Sequence, residues 1–177
     1  MALIVVTPVV ASYVAYYWWQ PQGHVNYGEL IEPRSLPDAA LTDLDGKPFH
    51  IAQLHNQWTL LVADSGACDA WCREKLVYVR QLKLAQGKEA DRIERVWLVT
   101  DRVAPDRQLL AQFPGMHVVR AEGSPLVQAL PAAKAPADHI YVVDPLGNLM
   151  MRYPRDADPQ KILKDIARLL RHSKWSS

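Results

Sequence analysis

Apolar and polar positions along this chain follow two periods, and the switches between them mark the elements. Residues 57–64, "QWTLLVAD", and 95–101, "RVWLVTD", are short continuous apolar runs, as expected of strands buried on both sides. Between them, from Asp69 to about Gln86, Leu76, Val79 and Leu82 recur at helical spacing, with Val77 and Leu84 beside them, before Gly87. A third brief strand is expected over residues 116–121. Short helical segments are expected from Pro105 to Phe113 and from Ser124-Pro125 to Leu130.

Two hairpins punctuate the ends. Residues 40–51 turn on Asp45-Gly46, and "HIYVVD" and "NLMMRYP" face each other across Pro145-Leu146-Gly147. A last helix follows, with Asp158 as cap, Pro159 at its first position, and Ile162, Ile166, Leu169 and Leu170 on one face. The order is hairpin, β-α-β-α-β, short helix, hairpin, helix. It predicts an α/β fold with a mixed β-sheet flanked by helices. That order resembles the thioredoxin superfamily in its variant with an added N-terminal β-hairpin, where a cysteine pair stands at the first strand-to-helix turn.

The N-terminus breaks both periods. Residues 2–19, "ALIVVTPVVASYVAYYWW", carry no charge and would span roughly 27 Å as a helix, about the thickness of a bilayer core. Its far end is rich in Tyr and Trp, which favour the membrane–water interface. A cleaved signal peptide would need small residues at that end, and a buried core helix is the third reading. The expectation is an N-terminal transmembrane helix over residues 1–20, an extended linker over 21–38 and a thioredoxin-like domain over 39–177. With the N-terminus inside, the helix makes a single pass of the inner (cytoplasmic) membrane and the domain faces the periplasm, an oxidising compartment.

Composition narrows the picture in two ways. An apolar fraction of 49% in 177 residues builds a core without disulfides or structural metal. A net charge of +1, with the basic residues scattered, gives no electrostatic argument for nucleic acid.

The candidate chemistry lies in "DSGACDAWCREKL", residues 64–76, which holds both cysteines of the chain. Cys68 and Cys72 at i and i+4 of a helix start would share a face, within disulfide reach. The helix N-terminus lowers thiol pKa, and thiolate serves both redox exchange and metal binding. Position alone leaves open a redox pair, a pair of metal ligands or two buried thiols. Two thiolates suit Cu(I), and an imidazole would extend the site to Cu(II). Of the six histidines, His24, His50, His55, His117 and His172 read as surface or partner-bonded. His139, at the start of the strand before the final hairpin, is the candidate third ligand. No Thr/Pro constellation of a peroxidase precedes Cys68.

The apolar N-terminus, "CDAWC", Asp138-His139 followed by "IYVVDPLGN", and "VTDRVAPDRQLLAQF" together resemble the Sco-type (SenC-like) copper chaperones of cytochrome c oxidase assembly. The resemblance implies that Cys68, Cys72 and His139 ligate one copper ion, delivered to the binuclear copper centre of the oxidase. The partner is then a copper-receiving oxidase subunit or another redox or copper chaperone. The alternative is a thiol–disulfide reductase that keeps such a partner's cysteines reduced, with Cys68 attacking and Cys72 resolving. The chain departs from the family in having Asp69 and Arg73 where prolines follow each cysteine, and in a short segment between Val119 and His139. Arg73 would favour a thiolate and Asp69 oppose it.

Overall fold

The computed structural model describes residues 26–173. Strand β4 (Trp58–Asp64) is buried at all seven positions and is central to the sheet. It runs parallel to β5 (Ile93–Val99), with Trp58 opposite Ile93 and Asp64 opposite Val99. On its other side it pairs antiparallel with β7 (His139–Val143), which turns into β8 (Asn148–Pro154). Strand β6 (His117–Arg120) lies parallel to β5. The predicted first hairpin is β2 (Leu41–Asp43) with β3 (Pro48–Phe49), attached to β6. Its turn is held by Asp43, whose carboxylate accepts from the Asp45 and Lys47 amides, and by Gly46 at φ +83°.

One element differs from expectation. Residues within the expected linker, Glu29–Ser35, form an edge strand, β1, antiparallel to β8. The full order is β1-β8-β7-β4-β5-β6-β2-β3. β1 carries Pro33, is mostly exposed and shifts register between Leu30 and Arg34, so it presents neither apolar alternation nor an unbroken ladder.

Both faces of the sheet are covered. Helix α1 (Ala70–Leu84) and the last helix, α4 (Pro159–His172), lie on one face. There Val79, Leu82, Ile162, Ile166 and Leu170 pack on Leu60, Val62, Ile140 and Val142. Burying each such aliphatic side chain stabilises the fold by about 1.5–3 kcal/mol. On the other face, Leu61, Ala63, Tyr141 and Val143 pack with Leu126 of α3 (Pro125–Gln128) and with Leu41 and Phe49 of the hairpin. A smaller cluster joins both cysteines and Leu76 to Trp97, Val99 and Leu109, the last from α2 (Arg107–Leu110). Among the described residues no helix is long and apolar enough to cross a membrane. The predicted transmembrane segment, residues 1–20, lies outside the described residues.

Candidate functional site

The site is built where β4 ends and α1 begins. Cys68 and Cys72 form a disulfide with a Cα–Cα distance of 5.0 Å. The pair is not set on one helical turn as the sequence predicts. Helix α1 starts at Ala70 with Asp69 as its cap, so Cys68 stands before the helix, in the left-handed region at φ +44°. The Asp69 carboxylate accepts the Cys72 backbone N–H at 2.8 Å, satisfying one of the free donors of the first turn. Arg73 donates from Nε to the Cys68 carbonyl at 3.2 Å. The two departures from the family pattern are therefore structural parts of the turn.

Both sulfurs are shielded, Cys68 being 1% and Cys72 0% exposed. The loop that leads to them is fastened from outside. Asp101, just after β5, accepts from the Gly66 amide at 3.0 Å and from the Val103 amide at 3.1 Å. A hydrogen bond from Ser65 and these amides hold its carboxyl below the ordinary aspartate range. Gly66 is required there, because a Cβ would come within 1.8 Å of the Val103 carbonyl oxygen.

Beneath the pair lies a buried charge that the sequence reading missed. Lys75 is fully buried and its Nζ lies 2.5 Å from the Asp64 carboxylate at the end of β4. Burial pulls the Lys75 ammonium below the ordinary lysine range, and Asp64 opposes that shift. Lys75 also donates to the Ala137 carbonyl, which takes a second hydrogen bond from Trp71 Nε1 at 3.0 Å. Trp71, the residue before Cys72, lies beneath the Arg155 guanidinium at 5.0 Å. The signal for Lys75 was present: it falls in phase with Cys72, Leu76, Val79 and Leu82 on the apolar face of α1.

His139 is placed differently from the other two candidates. The turn before it does reach α1, through the Ala137 carbonyl. Its own side chain alternates onto the face of Tyr141, with ring centroids 5.7 Å apart, whereas Ile140 and Val142 face α1 and α4. His139 is 7% exposed and its Nδ1 has no hydrogen-bond partner among the described residues. Burial, then Arg152, hold its pKa below the ordinary histidine value. The structure thus joins Cys68 to Cys72, while the His139 ring lies against Tyr141. Among the described residues, no group of three or more His, Cys, Asp or Glu is arranged to hold a metal ion. Of the other histidines, His50 pairs with Asp38 at 3.1 Å, His117 pairs with Glu94 at 3.4 Å, His55 packs against Gly147, and His172 is exposed at the end of α4. His24 lies outside the described residues.

Residues 58–173 match the family described as transmembrane-like, thioredoxin-like, C-terminal domain. No curated protein sequence matches the chain. Among solved structures, yeast Sco1 with copper bound is 15% identical with a TM-score of 0.66, over 80% of this chain and 95% of its own. Bradyrhizobium japonicum ScoI with copper bound is 20% identical with a TM-score of 0.58, over 76% and 99%. The thioredoxin domain of a thiol-disulfide oxidoreductase from Bacteroides vulgatus is 15% identical with a TM-score of 0.57, over 79% and 99%. At these identities the likeness to Sco-type proteins is one of fold, a thioredoxin-like mixed sheet with flanking helices. Since the matched residues run from β4 through the cysteine pair to α4, the chain belongs to the family of transmembrane-like, thioredoxin-like C-terminal domains.

Proposed function

We propose that this protein is a membrane-anchored copper-binding assembly factor whose cargo, one copper ion, is held between Cys68 and Cys72 and handed to the binuclear copper centre of cytochrome c oxidase. The observation that carries the reading is the pair itself. Both cysteines of the chain stand at one helix start, with Cα atoms 5.0 Å apart. Reduction turns the disulfide into two adjacent thiols, and soft Cu(I) prefers thiolate ligands. Two relatives in fold are recorded with copper bound, which supports the same cargo here.

His139 is the third ligand in this reading. It keeps one buried nitrogen without a hydrogen-bond partner among the described residues, and ligation requires its ring to leave the face of Tyr141. The anchor is the apolar segment of residues 1–20. In this reading it holds the domain on the periplasmic side of the inner membrane, and the Tyr- and Trp-rich end of the segment marks the membrane–water boundary.

A second reading is favoured by the disulfide and by the packing of His139 on Tyr141: thiol–disulfide reduction alone. The Cys68 thiolate attacks a partner's disulfide, forming a mixed disulfide and releasing one partner thiolate. Cys72 then attacks the Cys68 sulfur, closes the Cys68–Cys72 bond and releases the second partner thiol. Two electrons and two protons pass to the partner, and the pair ends oxidised.

Titration of the fully reduced chain with Cu(I) against a competing chelator separates the readings. The copper reading predicts one ion per chain, none in the disulfide form, and weakened Cu(II) binding in His139→Ala with little change in redox potential. If the reduced protein takes up no stoichiometric copper while Cys68→Ser abolishes disulfide reductase activity, the second reading stands.

A further inference from the structure

The net charge of the chain conceals one concentrated patch. Helix α4 exposes Lys161, Lys164, Arg168 and Arg171. These positions are spaced i, i+3, i+7 and i+10, so they form a single stripe along one face. Asp165, the helix's acidic residue, is 4% exposed and turned inward, where it accepts from the Gly28 amide at 2.8 Å and the Tyr153 hydroxyl at 3.3 Å. Of the nearby carboxylates, Asp158 serves as the helix cap, Glu29 is engaged by Arg152 at 2.7 and 2.8 Å, and Asp156 lines the same groove as the basic residues.

The chain enters the domain beside this stripe. The Tyr27 hydroxyl accepts from the Asp158 amide at 2.9 Å, and Lys161 Nζ lies 5.1 Å over the Tyr27 ring. Residues 26–30 and the side chains of Lys161, Lys164 and Arg168 border one open groove of about 990 Å³. Only residues 21–26 separate Tyr27 from the end of the apolar N-terminal segment, a reach of at most about 25 Å when fully extended.

Resting on the reading that this segment spans a membrane, we infer that the basic face of α4 docks on the anionic phospholipid surface of the same membrane, with headgroup phosphates in the groove beside Tyr27. Charge is matched, since each Lys or Arg near an anionic surface tightens binding about fivefold. Such attraction fades within about 8 Å at physiological ionic strength, and the short tether lets the helix come that close. A docked α4 fixes the orientation of the whole domain, because its opposite face packs on the sheet that carries the cysteine helix.

The test uses the full chain in nanodiscs of phosphatidylcholine alone or of phosphatidylcholine with phosphatidylglycerol, with acylation of each lysine read by mass spectrometry. Docking predicts that Lys161 and Lys164 react severalfold more slowly in the anionic discs. The difference should vanish in high salt, and at Lys161 also in the double variant Lys164→Glu/Arg168→Glu, while the redox potential of the cysteine pair stays unchanged. Equal reactivity in the two compositions overturns the inference. Equal protection by free inorganic phosphate in phosphatidylcholine discs overturns it too, in favour of a small-anion site. A chain that enters neither disc contradicts the anchor and not the patch. Sedimentation with vesicles of the same two compositions then decides, partition to the anionic vesicles alone supporting docking and partition to neither overturning it.

Discussion

Helices α1 and α4 begin with the same device and are put to different work. Each is capped by an aspartate, Asp69 accepting from Cys72 and Asp158 from Gln160, and each lays an aliphatic face on the same side of the sheet. Around the α1 cap the fold collects what a stable domain ordinarily avoids: a non-glycine residue at positive φ, a fully buried lysine and a shielded disulfide. Around the α4 cap, Pro159 occupies a favourable first position and the one buried acid is satisfied by an amide and a hydroxyl. The contrast teaches that capping and packing alone do not mark a reactive site. The marks are buried charge and backbone strain concentrated at one turn.

Removing half of the buried pair is the most severe way to break this contrast. Asp64→Ala leaves the buried Lys75 without its ion-pair partner, at an expected cost of about 3–5 kcal/mol in urea unfolding followed by circular dichroism. Joint replacement by Asp64→Leu and Lys75→Met should recover most of that loss. On the α4 side, Ile166→Ala should cost about 2–5 kcal/mol while leaving the redox potential of the cysteine pair where it was.

The two caps give a sharper and smaller comparison. Asp69→Ala and Asp158→Ala should each cost about 1 kcal/mol. Only Asp69→Ala should also raise the reduction potential of the Cys68–Cys72 pair, since a carboxylate beside the sulfurs disfavours thiolate and its removal favours the reduced form. Equal potentials in the two variants, read by glutathione equilibration, would contradict the assignment of Asp69 to the site.

A pH effect is the mildest. Burial pushes the Tyr141 hydroxyl up to about 12 from 10.0. The unfolded chain therefore releases this proton first. The stabilisation is whole below pH 10 and is lost as pH rises towards 12. Tyr153, also raised by burial, acts in the same sense. Tyr141→Phe should flatten the alkaline limb of the stability curve. At neutral pH it should cost about 1 kcal/mol or less, because the Pro131 carbonyl that Tyr141 bonds keeps its hydrogen bond from Arg152.

Much of this contrast was legible in the sequence. The continuous apolar runs located β4 and β5, the 3.6-residue period located α1 and α4, and Asp45-Gly46 and Pro145-Leu146-Gly147 located the hairpins. β1 was not legible, because an exposed edge strand containing Pro33 leaves no alternation to read. The cysteine pair was found, but its placement was one step off. Cys68 takes a positive φ in a loop that is also fastened from Gly66 to Asp101, a contact across 35 residues that no local pattern encodes. His139 was correctly put at a strand start beside the α1 contact. Its facing was not readable, since β7 is apolar on both sides and nothing in "HIYVV" says which side carries the cysteine helix. Lys75 could have been found by asking why a lysine falls in phase with a buried helical stripe.

The most direct measurement on the central claim is X-ray absorption at the copper edge on the reduced full chain loaded with one equivalent of Cu(I). The account predicts a shell containing two sulfurs, with one sulfur lost in Cys68→Ser and a nitrogen lost in His139→Ala. A shell of nitrogen and oxygen alone, or one unchanged in Cys68→Ser, would contradict it.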